Sequence, residues 1–380
     1  MRNSVLITDA VREGNGKSSK KDVQRETGIA WGTMCKVVDG LLADEYLFAR
    51  KIEPSGRGRP VIPLCVNPES AFFIGLDIGA NRTRGVICNL NFGISYHCNC
   101  PTPVYHAPES FFSWLFAFFD NLIEGSCISR NKLRGIGLSI SGNVDSDQGV
   151  IVSGGNWGVK SGANLPVTER LSEYSGLPVF AISTQAAAAW AEYNFGRFRG
   201  LANLVTIGLG VGIGSGVVSN HHLLISQPGR PVGYIGHMLI PGNHHICTCG
   251  FRGCLESYSG GNYLASVAKE QLSNRPELHS TAAMDHAAAN GDPDAIDIMS
   301  TAASYNAVGI ASMIQLYSPN AMVFSGGQSR ADGFLFNRTL SALDDLLPAE
   351  RRANLKVDIS NLGDIQSALG AARLAYEKFF

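Results

Sequence analysis

The stretch G-H-M-L-I-P-G-N-H-H-I-C-T-C-G-F-R-G-C-L-E, residues 236–256, decides how the rest of the chain is read. Cys247, Cys249 and Cys254 stand in C-x-C-x4-C spacing, with His237 upstream. Gly250 and Gly253 let the backbone bend sharply enough for three thiolates to face one point. One imidazole and three thiolates complete a tetrahedral zinc shell with no open position, so the spacing predicts a structural rather than a catalytic zinc. His244 and His245 lie nearer in sequence, but too close to Cys247 for easy loop closure, which favours His237. The bland alternative, three buried free thiols, does not account for glycines placed where the chain must turn. Nine cysteines, an odd number, do not suit a secreted disulfide framework.

The sequence before this stretch divides in two. Residues 1–66 hold 11 Lys/Arg against 8 Asp/Glu, a net of +3, and the remaining chain holds 20 against 24, a net of −4. A small basic head on an acidic body suits a nucleic-acid binder with a body of another purpose. Residues 5–11 read as a helix broken by the glycines at 14–16. Ser19 caps a short helix at 20–27, Gly28 and Ile29 turn the chain, and a longer helix at 30–43 places Met34, Val37, Val38, Leu41 and Leu42 on one face. This order of helix, glycine turn and helix predicts a helix-turn-helix that reads double-stranded DNA. Trp31, Thr33 and Lys36 then stand near the start of the recognition helix, where side chains reach base edges. Ala30 occupies the position where a capping hydroxyl is usual. Two strands, at 46–51 and 61–66, flank P-S-G-R-G-R-P and make a wing whose Arg57 and Arg59 are placed to grip phosphates or a minor groove. A helical protein-interaction module is the plainer alternative, but it explains neither the turn nor the basic tip.

From residue 71 the pattern becomes mixed strand and helix. Strands are expected at 71–78, 84–90, 133–140 and 179–183, with helices at 109–127 and from 184 onward. The pattern restarts with strands at 203–209, 215–218 and 321–324 and with helices at 292–317 and 364–379. Repetition of this order predicts two α/β lobes with a cleft between them. Glycine-rich loops end three of the strands: Asp77–Arg82 with Gly79, the run 208–216 with Gly212 and Gly214, and 325–327 with Gly326. Backbone N–H groups of such loops can cradle phosphates, although any one of them serves equally well as a tight turn. The polar N-terminus lacks the apolar core of a signal peptide, and the longest apolar runs, such as 111–119, are too short to cross a bilayer. A cytoplasmic protein with no membrane partner is expected.

These residues carry a family resemblance. G-H-x9-C-x-C-G-x2-G-C-L-E resembles the zinc signature of the ROK family of bacterial sugar kinases and sugar-responsive repressors. D-I-G-A-N-R resembles that family's first phosphate loop, G-L-S-I-S-G-N-V-D (137–145) its second lobe-one motif, G-G-N-W (154–157) its sugar-contacting loop, and S-A-L-G-A-A (367–372) its C-terminal pattern. The helix-turn-helix and the G-R-G-R-P wing resemble the extension of the repressor branch, typified by the xylose, glucose and N-acetylglucosamine repressors. The resemblance covers essentially the whole chain. It implies two ribonuclease-H-like lobes of the actin/hexokinase type and a homodimer or homotetramer. The implied division is a winged helix-turn-helix over 1–66, a first lobe over 67–190 plus 364–380, and a second lobe with the zinc segment over 191–363.

The departures bear on function. Family kinases carry N-D-A-N ahead of A-A-A-x-A-E, and here the stretch is S-T-Q-A. The catalytic aspartate is thus replaced by Thr184, which cannot serve as a base near neutral pH, and general-base catalysis is worth about 10²–10⁴-fold. A neighbouring sugar ligand, asparagine in the kinases, is Ser183. The usual G-E-I-G-H is G-Y-I-G-H, so Tyr234 replaces a sugar-binding carboxylate. Val211 replaces a loop threonine, and Ala80 and Asn81 replace Gly-Thr. Asp77, Asn156, His237 and Glu256 survive. The expected protein is a repressor of carbohydrate genes whose degenerate phosphate loops catalyse nothing. Asn156, His237, Glu256 and Tyr234 would hold a small carbohydrate or sugar phosphate. The alternatives are an active ATP-dependent sugar kinase with a DNA-binding head, and a regulator whose body binds a protein partner.

Overall fold

The computed structural model describes residues 2–50, 62–154, 157–160, 162–225, 232–242 and 244–380. Three helices open the chain: α1 (Asn3–Glu13), α2 (Lys20–Thr27) and α3 (Trp31–Ala43). Ser19 starts α2 with a reciprocal cap, its hydroxyl accepting the Asp22 N–H while the Asp22 carboxylate accepts the Ser19 N–H. Gly28 ends α2 in the left-handed region at φ +66° and turns the chain into α3, which begins at Ala30 with no side-chain cap. Strands β1 (Leu47–Ala49) and β2 (Leu64–Val66) pair antiparallel beside the helices. They are shorter than the expected 46–51 and 61–66. Arg57 and Arg59 lie outside the described residues.

The body begins with β3 (Phe72–Ile78), β4 (Arg82–Asn89), β5 (Ile94–Pro101), α4 (Pro108–Ser126) and β6 (Leu133–Ile140). The small hairpin β7 (Asn143–Asp145) and β8 (Val150–Ser153) follows, then α5 (Val167–Ser175), β9 (Val179–Ser183) and α6 (Thr184–Phe195). The second half holds β10 (Leu204–Leu209), β11 (Ile213–Ser219), β12 (His222–Leu223), α7 (Glu256–Ser259), α8 (Gly261–Gln271), α9 (Thr281–Ala289) and α10 (Pro293–Tyr317). It closes with β13 (Ala321–Ser325), α11 (Phe334–Leu346), α12 (Ala349–Ala353), β14 (Lys356–Ile359) and α13 (Gln366–Phe379).

The two five-stranded sheets have the same internal order. The first runs β5-β4-β3-β6-β9 and the second β12-β11-β10-β13-β14. In each, the first strand pairs antiparallel with the second and parallel with the fourth, which pairs parallel with the fifth. The chain is therefore a two-lobed α/β protein built on one repeated plan. Helices α6 and α13 pack against each other, α6 lying on β10 and β11 and α13 on β3 and β6. The close seat of α13 depends on Gly75 and Gly137 in the first sheet, where a Cβ would overlap the carbonyl oxygens of Ala368 and Ala371.

The N-terminal helices do not stand apart from the body. Val5, Ile7, Val11, Met34, Val38 and Leu41 share one buried cluster with Phe73, Val86 and Leu90 of the first lobe and with Ala372, Tyr376 and Phe380 at the C-terminus. No helix of the described chain is long and apolar enough to cross a membrane.

Candidate effector cleft and metal centre

The metal centre is built from a loop with little regular structure. His237 closes a short 3-10 turn, Ile235–His237. Two isolated antiparallel bridges, Leu239 to Cys254 and Ile246 to Arg252, draw the loop together. Gly250 and Gly253 take φ of +92° and +87°, conformations that side chains with a Cβ rarely adopt. One donor atom from each of His237, Cys247, Cys249 and Cys254 lies within 4.8 Å of all the others. The Cys247 Sγ is 3.7 Å from the His237 Nδ1, and the Cys249 Sγ is 3.6 Å from the Cys254 Sγ. Tetrahedral zinc with Zn–S bonds of about 2.3 Å needs sulfur atoms about 3.8 Å apart. The four residues therefore fit a tetrahedral metal ion. Burial and the neighbouring sulfurs push the Cys254 thiol upward, a penalty that a divalent cation at the centre reverses.

The loop is tied to the second lobe through Glu256, which opens α7. Its Oε2 accepts the Ile213 N–H at 2.7 Å, within the 208–216 glycine run where β11 begins. Burial raises the Glu256 carboxyl, while the Ile213 N–H and the charge of His237 oppose the rise. Tyr234 is 42% exposed, and its ring centroid lies 5.8 Å from that of His237. His237, Glu256 and Tyr234 thus surround the start of the metal loop. Asn156, the fourth residue expected there, lies outside the described residues. Its neighbour Trp157 is buried and donates its indole N–H to the Ser141 carbonyl at 2.7 Å.

The glycine loops meet at the first turn of α6. Asp77, 4% exposed, accepts the Ser139 hydroxyl at 2.7 Å and faces the Thr184 hydroxyl at 3.4 Å. Burial lifts its carboxyl to about 6, against the pull of Ser139, of the Arg84 guanidinium at 3.7 Å and of Thr184. Gly79 beside it is half-buried. One residue on, the Gln185 side chain fills the space left by Gly208 and Gly214. The second and third loops are joined: the Gln328 N–H donates to the Leu209 carbonyl at 3.0 Å, and Gly326 abuts the same residue at φ +93°. Gly212 closes the second loop, its carbonyl accepting the Gly210 N–H.

On the N-terminal unit, Trp31, Thr33 and Lys36 are exposed along α3 while Met34, Val38 and Leu41 are buried. The expected contact residues therefore lie on its free face.

A sequence model of the ROK family matches residues 73–378. The chain belongs to the ROK family. Among curated ROK proteins it is similar to the xylose repressor of Bacillus subtilis, 23% identical over 372 residues that span 96% of this chain and 92% of that one. It is also similar to the glucokinase of Streptomyces coelicolor, 27% identical over 322 residues, 80% of this chain and 97% of the enzyme. Its fold matches that of a ROK family transcriptional regulator homologous to the Escherichia coli Mlc protein, with a TM-score of 0.79, 21% identity and coverage of 99% and 97%.

Ser183, which stands where the kinases have a sugar-binding asparagine, is the N-cap of α6, accepting the Ala186 N–H at 3.3 Å. Two other residues of this ROK site carry no signal in the family motifs. Gln185 reaches the second loop, and Arg84 pairs with both Asp77 and Asp364. The S-T-Q-A departure marked the place of Gln185, but nothing local to Arg84 announces its partners.

Proposed function

We propose that this ROK protein is a sugar-responsive DNA-binding repressor whose kinase-like body holds a small carbohydrate or sugar phosphate and transfers no phosphoryl group. One observation carries the reading. Similarity to the xylose repressor runs through 96% of the chain, head included, whereas the glucokinase match spans 80%. In this reading residues 1–66 form a winged helix-turn-helix with α3 as the recognition helix. Trp31, Thr33 and Lys36 address base edges, and Arg57 and Arg59 address phosphates. The body comprises a first lobe, 67–190 plus 364–380, and a second, 191–363. The repressor acts as a homodimer or homotetramer in the cytoplasm.

The metal is a structural zinc on the Nδ1 of His237 and the three cysteine sulfurs. That leaves the Nε2 of His237 for a sugar hydroxyl, beside the Glu256 carboxylate and the Tyr234 ring, with Asn156 the further effector residue that the family motif implies. Zinc thereby orients two effector-facing side chains at once. Thr184 stands where the family's kinases place their base, and its hydroxyl faces Asp77 rather than offering a proton acceptor. Asp77, Gly79, Gly212, Gly214 and Gly326 remain as phosphate loops without phosphoryl transfer.

Selection of duplexes from a random library by the full-length protein tests the reading, followed by titration of D-xylose, D-glucose and glucose 6-phosphate into the complex. A recurring site, released by one of the three, is expected. Failure to enrich any sequence ends the repressor reading, and ATP consumption with any sugar of a broad panel favours the kinase instead.

A second reading draws on Leu239, Ile246 and Phe251, which are 58%, 66% and 65% exposed on the metal loop. Apolar side chains so placed suit a body that grips a protein partner. A pull-down with the sugar-saturated protein separates the two.

A further inference from the structure

We infer that helices α6 and α13 form a transmission unit between the cleft and the N-terminal helices, joined by the relay Trp190–Glu377–Arg373–Asp9. The inference rests on the sensor reading above, because only a sensor needs such a link.

The relay is continuous and mostly buried. The Trp190 indole N–H of α6 donates to both carboxylate oxygens of Glu377 at 3.1 Å. Glu377 accepts the Arg373 Nε at 2.7 Å along α13. Arg373, 3% exposed, donates through its two terminal nitrogens to the two carboxylate oxygens of Asp9 in α1, at 2.9 and 2.5 Å. The Tyr376 hydroxyl and the Arg12 guanidinium complete the ring of donors around Asp9. Arg12 in turn donates to the Leu90 carbonyl of the first lobe at 2.9 Å. Burial opposes the charge of Arg373, yet the hydrogen bonds and charge of Asp9 outweigh it.

The opposite end of the unit is the cleft. The first residue of α6 is Thr184, facing Asp77, and the next is Gln185, packed on the second glycine loop. The N-terminal turn of α13 holds the same helix: Gln366 donates to Glu192 at 2.8 Å, and the Ser367 hydroxyl reaches the Thr184 carbonyl at 3.4 Å. The two helices therefore touch both lobes at one end and the DNA-facing unit at the other. A bidentate buried pair has few intermediate geometries, so a shift of α13 is passed to α1 as a step rather than absorbed gradually. By linkage the effect is reciprocal: what loosens Asp9 must be felt in the cleft.

Hydrogen exchange on the full-length protein tests this without sugar or DNA, so its outcome is independent of whether the effector reading holds. Trp190→Phe keeps the ring packing and removes one N–H that touches no residue of α1. Expected is a rise of at least ~3-fold in amide exchange across residues 3–13, with β10 and β13 unchanged. Asp9→Asn should conversely speed exchange in residues 184–187 by a similar factor. If Asp9→Asn also accelerates β10, that variant has loosened globally and Trp190→Phe alone decides. Exchange in residues 3–13 that matches the unsubstituted protein in Trp190→Phe overturns the inference and leaves the relay as a local anchor.

Discussion

The Oε2 of Glu256 accepts the backbone N–H of Ile213 at 2.7 Å. Two segments 43 residues apart are joined by that bond: the end of the metal loop and the start of β11 within the second glycine run. Glu256 fixes the glycine loop with one oxygen, and in the proposed reading the other serves a sugar ligand.

Glu256→Gln keeps an acceptor for the Ile213 N–H but removes the charge. The expected outcome is a protein of nearly unchanged melting temperature that has lost its stabilisation by sugar. A binding loss of about 1.5–3 kcal/mol is expected for a hydrogen bond to a charged group. A thermal-shift screen of sugars, amino sugars and their phosphates on both proteins checks it. If no sugar stabilises the unsubstituted protein, the sensor reading fails.

One zinc per chain is expected by elemental analysis, and Cys249→Ser should lower the metal content although Cys249 is the most exposed of the four ligands. Because metal binding is coupled to folding, chelation should loosen residues 241–256 first. Unchanged metal content in the serine variant would show that the ion sits elsewhere.

Asp77 gives a pH dependence with a definite sign. Its carboxyl rises from an ordinary 3.8 to about 6 on folding, chiefly through burial. The folded state therefore favours the protonated form. That contribution is fully present below pH 3.8 and is lost as pH rises through about 6. Asp77→Asn retains an acceptor for Ser139 without the charge. It should stabilise the folded state at pH 7.5, by about 3 kcal/mol at most, seen as a higher melting temperature, and the gain should vanish near pH 4. A gain independent of pH would mean that the charge is not the cause.

Removing Asp9 takes the bidentate partner from the buried Arg373 and leaves it Glu377 on its Nε. Asp9→Ala should cost about 3–5 kcal/mol. The double variant Asp9→Ala/Arg373→Met should cost less than the sum of the two single changes, since both partners are then gone. Additive losses in denaturant titrations would show that the two residues act separately.

For DNA, replacing Arg57 and Arg59 with alanine should weaken duplex binding and flatten its salt dependence. Each lost phosphate contact removes about 0.9 from the slope of log affinity against log salt. An unaltered slope, measured by anisotropy between low and moderate salt, would place the wing away from the phosphates. Thr33→Ala should instead relax sequence preference while leaving the slope alone.

The cluster of His237 with Cys247, Cys249 and Cys254, the capped α2 and the strand-helix alternation were legible because each is written in local spacing. A cysteine pair, a capping serine or a 3.6-residue apolar period needs no distant partner to be recognised. The same holds for the exposed face of α3, which follows from the burial of Met34, Val38 and Leu41. What spacing cannot express is which distant elements touch. Asp9 and Arg373 lie 364 residues apart and form a largely buried ion pair. Neither looks unusual alone: one is a charge on an amphipathic helix, the other an arginine in an alanine-rich one. Gln185 and Arg84 likewise gained their meaning only when two sheets and two crossing helices closed around them. Local pattern is set by the backbone's own geometry and the period of burial, both short-ranged. A buried charge pair is set by desolvation, which exists only after the tertiary fold has excluded water from both partners at once.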